Sequence, residues 1–554
     1  MQADVVVIGG GPVGMLMAAE LAGYGVRTVV FEALAEVSRQ PKATTVHARA
    51  VQSLVRRGRL PWLAPVYQEA DFQRPFRFAG LSGLTITAPG TEPEPLLKCA
   101  QVELEEAFES QAQAAGARVL RGFRVSGLSQ DSDCVSVVAE QAEAVEGLSG
   151  AAGPVVCTAR YVVGADGARS TVRRLAGIAS DTWPATVSSM MGLVTLPDRS
   201  VLSPGWHRTS RGWMVATPTS GGDVSVRTLN PEPAADWALP LTAQQLRREV
   251  EWIAGRTVPM SNLRWLKRFS DFARLARGYR HGRVILVGDA AHSHFPIGGQ
   301  GLSAGLLDAV NLGWKLAHEV HGTAAAGLLD SYEAERRPVA RRVIDATRAQ
   351  LVFMRPDPEM DGMRGLLAER LSDGLVNGRV GAMISGQSIV APARSRRPST
   401  WEGRFLTNRR LGTDRGRTDV VELLGSGRAQ VLLFGGGADR DGYRVEAAPW
   451  TGVLDIVEVD AEPDIPYEAL LVRPDGYVGW VPEPAGESLA DALAVYFGHR
   501  PVRTAMPPLP GGAAADAMAA VEKSAPGLWE QRDYDTGTAS GRCDSLARSS
   551  MHSS

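Results

Sequence analysis

The chain opens on an apolar run with no polar face. Residues 4–8, "DVVVI", are β-branched and hydrophobic after the first position, the pattern of a central parallel strand covered on both sides. A glycine-rich turn follows. "MLMAAELAGYG" then repeats apolar positions at helical spacing and stops at a glycine, and "VRTVVFE" is a second strand closing on Glu32. Farther on, "YVVGADGARSTVRR" and "RVILVGDAAHSHFPIGGQG" each end an apolar strand in an acid beside glycine, and a helical pattern runs from about Leu302 to His321. Between about residues 180 and 280 the period changes. "SSMMGLVTL", "GWMVATP" and "DVSVRTL" alternate, as strands of an antiparallel sheet do. A Pro-, Gly- and Arg-rich boundary spans 355–400, after which "DVVELLGSGRAQVLLFGGG", "VLDIVEV" and "ALLVRPDGYVGWV" predict a small α/β domain. From about Pro507 the pattern is lost in "PPLPGGAAADAMAA" and a Ser/Gly-rich end, which predicts disorder. No internal repeat is evident.

Length and composition narrow the function classes. At 554 residues the chain exceeds one core, so two or three domains are expected. It is 44% hydrophobic and 22% charged, with a formal net charge of -2 and no long Lys/Arg run. Nucleic acid and anionic membrane surfaces are therefore not expected partners. Glycines and acids interrupt the longest apolar runs, so no membrane span is expected, and the N-terminus lacks the basic region of a signal peptide. Cys99, Cys134, Cys157 and Cys543 form no C-x-x-C pair, which removes zinc-ribbon and dithiol-redox readings and fits a reducing cytoplasm.

The first turn carries specific chemistry. Gly9, Gly11 and Gly14 supply G-x-G-x-x-G inside a complete strand–helix–strand unit. Gly9 permits the tight turn, Gly11 lets a pyrophosphate approach the backbone, and Gly14 lets helix and strand pack closely. The helix N-terminus offers unpaired N–H groups to the phosphates. Glu32 is placed to accept hydrogen bonds from ribose hydroxyls, which favours FAD or NAD over NADP. The best later candidate for a second such unit, "VLLFGGGADRDG", has Gly435 and Gly437 but Arg440 where the third glycine belongs. One nucleotide-binding Rossmann unit is expected, and a second redox partner must be held some other way.

The segment "VGDAAHSHFPIGGQG" admits three chemistries. Asp289 ends a strand, where an acid can bind a ribityl hydroxyl, and "PIGGQG" is nearly bare backbone suited to a flat ring. The following helix would aim its N-terminus at that ring and stabilise negative charge on it. "GLSAG" matches a nucleophile elbow, but Ser303 lies within a helix start after a long loop rather than directly after a strand. His292 and His294, two apart, suit neither one helix face nor a zinc-binding H-E-x-x-H pattern, so hydrogen-bonding or packing roles are expected and no metal.

Four segments in order resemble the FAD-dependent aromatic hydroxylases, the single-component para-hydroxybenzoate-hydroxylase-like flavoprotein monooxygenases. They are "VVVIGGGPVG…E", "CAQVELEEAF" at Gln101, "YVVGADGARSTVRR" at Asp166 and "GRVILVGDAAHSHFPIGGQGLSAGLLDAVNLGWKLA" at Asp289. "LDSYEAERRPVA" and "LLVRPDGYVGWV" extend the likeness, and the layout is similar to the long forms that oxidise aromatic polyketides. The resemblance implies an α/β fold (α+β overall): a Rossmann-like FAD-binding domain, an interleaved antiparallel-sheet substrate domain, and a small thioredoxin-like C-terminal domain. The expected bounds are 1–180 and 280–355 for FAD binding, and 70–100 and 180–280 for the substrate sheet. A helical linker at 355–400, the thioredoxin-like domain at 400–505 and a disordered tail at 506–554 complete the chain. Without redox cysteines the small domain is expected to be structural or oligomeric, with a homodimer as the candidate assembly.

The resemblance also implies FAD as cofactor and NADPH or NADH as electron donor. Pro296, Gly298, Gly299, Gln300, Gly301 and Leu302 would line the isoalloxazine, with Pro296 and Gly299 nearest the chemistry. Gln101 would join the cofactor site, and the Asp-Gly motif at Asp166 would assist both FAD and NAD(P)H, with Arg169, Arg173 and Arg174 near phosphate. One departure stands out. Where the family has Arg-Ala, this chain has Lys42-Ala43, so either Lys42 or Arg39 takes the flavin-side place, with Arg49 as a further contributor or plain helix-surface charge. Met190, Met191, Trp206, Trp213 and Met214 are candidate pocket residues, each with core packing as its alternative. The implied reaction inserts one atom of O2 into a polycyclic aromatic through a C4a-hydroperoxide, most simply as hydroxylation. A Baeyer–Villiger insertion on the same fold and a binding subunit without turnover are the alternatives. Because the cofactor does the hard chemistry and hydroxylation needs little from protein acids or bases, no side chain is named for proton transfer.

Overall fold

The computed structural model describes residues 1–63, 67–142, 153–219, 221–232, 239–436, 439–499 and 509. The tail expected from 506, apart from Leu509, and with it Cys543 and Gly437, lies outside the described residues. Two compact units are present: Met1–Thr186 with Ser270–Val521, and an inserted unit that begins at Val187 and runs to Phe269.

The first unit is organised by a parallel sheet. Gln2–Ile8 pairs in parallel with Val155–Gly164 on one side and Thr28–Glu32 on the other. Val284–Leu286 extends the sheet beyond Val155–Gly164, and Arg118–Arg121 extends it beyond Thr28–Glu32. Val5, Val6 and Val7 are wholly buried, as a strand covered on both faces requires. Each such side chain contributes roughly 1.5–3 kcal/mol on burial. Because all five strands run the same way, Gly9, Glu32, Asp166 and Asp289 all leave the sheet at its carboxyl edge. The chain goes from Gln2–Ile8 outward in both directions, so a crevice opens at that edge where the order reverses.

The helices Pro12–Gly23 and Gln300–His321 are apolar nearly all round and pack into the same core. The stretch after 355 holds helices Met360–Leu371 and Gly374–Ile384. Beyond it, Leu454–Val459, Ala429–Phe434, Ala469–Val472 and Val478–Trp480 form a four-stranded mixed sheet flanked by Arg440–Ala447 and Leu489–Phe497. A buried ionic cluster anchors its "RPDG" turn: Arg473 bonds both Glu335 and Asp475, Lys315 reaches Glu335, and Trp314 donates to Asp475. Leu509 is buried against Gly23 and Gly427, and its N–H donates to Ser426 O at 2.8 Å. Structure is therefore present at this position, past the Pro507 boundary drawn from composition.

In the second unit, Gly205–Thr209, Gly212–Pro218, Val224–Leu229, Ser188–Thr195 and Ser261–Ser270 form a five-stranded sheet in that order, antiparallel across the first four strands. Helix Ala243–Ala254 covers one face, with Leu246, Val250 and Ile253 packed on Val194, Met214, Ala216, Val224 and Val226. The hairpin expected to join this sheet, Phe72–Phe78 with Leu81–Ala88, pairs only with itself among the described residues and belongs to the first unit.

Candidate functional site

The three glycines of the first turn have different neighbours. Gly9 has φ +106°, and a Cβ there would lie 2.4 Å from Ala165 O. A Cβ on Gly14 would lie 1.9 Å from Gly9 O, so that position is dictated by packing. Around Gly11 nothing lies within 4 Å. Its smallness serves no contact inside the protein, so open space is kept there for a ligand. The helix that starts beside it, Pro12–Gly23, has no side-chain cap and no acid in its first turn, leaving its N–H groups for an anion. Gly10, missed by the spacing argument, is equally constrained: a Cβ would sit 2.8 Å from Glu32 Cβ.

Glu32 accepts hydrogen bonds from Gly10 N (2.5 Å) and Leu34 N (2.7 Å). These fix its orientation while each oxygen keeps a lone pair for a ribose hydroxyl. Asp166 caps a helix start. Its carboxylate accepts from Ser170 Oγ, Thr171 N and Val172 N, starting the helix Thr171–Leu175. Burial pushes its pKa up, against the pull of those donors. Arg173 carries the turn onward, donating to Ala290 O at 2.6 Å beside Asp289, while Arg174 stays exposed and donates to Thr171 Oγ1. Asp289 itself is exposed between buried Gly288 and Ala290 and makes no hydrogen bond or ion pair among the described residues.

The glycine loop is held from below. Asp308, wholly buried, accepts from Gly288 N and His292 Nε2 with one oxygen and from Arg336 Nε with the other. Burial opposes its ionisation, but His292 and Arg336 outweigh burial and hold the carboxyl below its usual range. Ser303 Oγ accepts from His47 N, a bracing role. Gly298 and Gly299 have φ of +75° and +65°, a left-handed pair that favours glycine. Helix Gln300–His321 begins at Gly299 without a side-chain cap. Leu302 is half-buried and Pro296 exposed at this loop.

Buried atoms without partners surround the loop: His47 Nδ1, His294 Nε2 and Gln300 Oε1. His47 donates or accepts only through Nε2, 2.8 Å from Gly298 O, and burial drives its pKa down to about 4. His294 is likewise pushed down by burial, with Nδ1 on Phe295 O. Two neutral rings and an amide oxygen thus present unsatisfied polar atoms around a bare backbone surface, which fits a flat heterocycle with a polar edge.

The remaining residues separate. Gln101 N donates to Ala43 O, tying its helix to the Lys42 segment. Lys42 is exposed and forms no hydrogen bond or ion pair among the described residues, whereas Arg39 pairs loosely with Glu106 at 3.4 Å. Arg49 is not helix-surface charge. It is buried, with its guanidinium 3.7 Å from the Phe405 ring centroid. In the second unit, Met214 belongs to the packed core and Met190 lies against it, so neither is on the face away from the helix. Strand parity places Met191, Trp206 and Trp213 on that opposite face, the two tryptophans edge-to-face at 6.1 Å.

Residues 2–347 match the family model described as FAD binding domain, and 399–500 match aromatic-ring hydroxylase, C-terminal. The chain belongs to the FAD-dependent aromatic-ring hydroxylases. Among curated relatives, the 12-dehydrotetracycline 5-monooxygenase/anhydrotetracycline 6-monooxygenase of Streptomyces rimosus is 38% identical, covering 90% of this chain and 99% of its own. A rifampicin monooxygenase of Streptomyces venezuelae is 36% identical over 89% of this chain and 98% of its own. Among solved structures, CabE, an aromatic hydroxylase from angucycline biosynthesis, superposes with TM-score 0.79 at 31% identity over 90% of this chain and all of that one. As a family member this chain is a flavin-dependent monooxygenase. The residues described fit FAD: Gly11 and the helix N–H groups for the pyrophosphate, Glu32 for the ribose, Asp289 for the ribityl chain, and the Gly298–Leu302 backbone for the ring. No helix among the described residues is long and apolar enough to cross a membrane.

Proposed function

We propose that this protein hydroxylates a polycyclic, polyketide-type aromatic, inserting one atom of O2 at the expense of NADPH or NADH. The observation that carries the reading is the full-length likeness to monooxygenases whose names specify anhydrotetracycline and rifampicin, together with the open, uncapped cradle at Gly11 and Gly299. Bound FAD supplies the redox chemistry that activates O2. The chain's own contribution is binding and orientation. Uncapped helix N-termini meet negative charge at the pyrophosphate and ring, and the Asp308–Arg336–His292 clamp keeps the loop rigid. His47 and His294 stay neutral near pH 7, so they hydrogen-bond without adding charge beside the ring. The cytoplasm and a homodimer belong to the same reading, supported for the former by free Cys99, Cys134 and Cys157.

The test is incubation with NADPH and isotopically labelled O2 across a panel of angucycline-, anthracycline- and tetracycline-type aromatics. A labelled phenol is the expected product. A labelled lactone would assign Baeyer–Villiger insertion instead. NADPH consumption giving only hydrogen peroxide across the panel would contradict the substrate class.

A further inference from the structure

Buried arginines of the first unit all have hydrogen-bond or ionic partners: Arg56 pairs with Glu92, Arg57 with Glu20, Arg336 with Asp308 and Arg473 with Glu335, Arg173 donates to Ala290 O, and Arg49 donates to Gln52 Oε1 and Gln387 O. Arg227 of the second unit has none. It is half-buried on Val224–Leu229, and its side chain makes no hydrogen bond or ion pair among the described residues. Burial alone pushes its guanidinium pKa down, with no compensating charge. Nearby acids are committed elsewhere, Asp223 to Arg264 and Thr195, and Glu249 to Thr228 on the helix-covered side.

Along its own row Arg227 has apolar neighbours. Strand register aligns Met191, Arg227, Val215 and Trp206 in one row across four strands, on the face opposite the helix. Leu229, Trp213 and the exposed Arg208 form the next row on that face, with Trp213 against Trp206. A lone cation set in an aromatic and aliphatic floor is costly for folding unless a ligand anion meets it. Its planar fork fits paired oxygens, and the floor fits fused rings.

We propose that Arg227 is the specificity-determining residue of this enzyme, binding the ionised phenol or enolised dicarbonyl oxygens of a fused-ring substrate laid over Met191, Val215 and Trp206. The inference rests on the polycyclic-aromatic reading above. Stabilising the phenolate also makes the ring carbon more nucleophilic, so the same contact that selects the substrate favours oxygen insertion.

The test uses FAD-loaded protein without NAD(P)H and anhydrotetracycline as the probe, following its fluorescence for affinity and its absorbance against pH for ionisation. The wild type is expected to bind the probe and lower its phenol–enol pKa. Arg227→Met should weaken binding roughly tenfold or more and return the ionisation to its value in free solution. Arg227→Lys should retain the ionisation shift while losing part of the affinity, a rescue that a purely structural role would not give. FAD content should be unchanged in both. A Met variant with wild-type affinity and ionisation would overturn the inference while leaving the polycyclic reading intact. A wild type that fails to bind the probe would overturn that reading and the inference with it.

Discussion

The cofactor cradle of the first unit and the five-stranded sheet of the second are built on opposite principles. In the cradle, recognition is done by backbone: open space at Gly11, two uncapped helix starts, and acids at strand ends. Side chains there are small or, like Glu32, pinned by hydrogen bonds, with Asp289 left open. In the sheet, the backbone groups are used up in the ladder, and recognition falls to side chains on one face, Arg227 among them. Backbone recognition needs particular residue types at fixed spacing, so it leaves a motif. Side-chain recognition on a sheet leaves only alternation, and alternation does not say which face is free.

The sharpest way to break the comparison is at the first glycines. Gly11→Val should give protein that folds but carries no FAD, because the added methyls enter ligand space. Gly14→Val should not fold, since its side chain would enter Gly9 O. Flavin absorbance and a melting curve separate the two. If Gly11→Val retained flavin, the open space would not be the pyrophosphate's.

Next in size is the clamp under the loop. Asp308→Ala leaves Arg336 buried and unpaired, and should cost about 3–5 kcal/mol of stability by denaturant unfolding. Acid should then weaken the same unit. His47 has a folded pKa of about 4 against an ordinary 6.5, so the unfolded chain binds more protons between those values. Stability must therefore fall as pH drops from about 6.5 towards 4, by up to about 3 kcal/mol from this group. His47→Gln should flatten that slope, and an unchanged slope would remove His47 as the cause. The smallest effect is expected at Asp289→Ala, which should weaken FAD binding about tenfold without lowering the melting temperature of the apoprotein.

These outcomes track what was legible in the sequence. Gly9, Gly11, Gly14, Glu32 and Asp289 were readable because strand, turn and acid occur together within short stretches, and the structure places all of them at one sheet edge. The Asp308–His292–Arg336 clamp was not, because it joins residues on two helices and a loop that meet only after folding. A lone Asp in "GLLDAVNLGWKLA" and an Arg in "EAERRPVA" were its only traces. Met190 and Met214 were singled out with Trp206 and Trp213 by residue type alone, and the register puts the methionines on the helix side. Arg227 has no signature in the sequence, because an arginine on an alternating strand has the pattern of ordinary surface charge and only the folded sheet shows that its side chain lacks a partner. Leu509 shows the same limit: one apolar residue in a Pro/Gly-rich stretch has no period to announce its burial.

The measurement closest to the central claim is the FAD content of the purified chain. The account expects a yellow protein with one non-covalent FAD per chain, released on denaturation and rebound by the refolded or apo wild type. A colourless wild type that also fails to take up added FAD would contradict it.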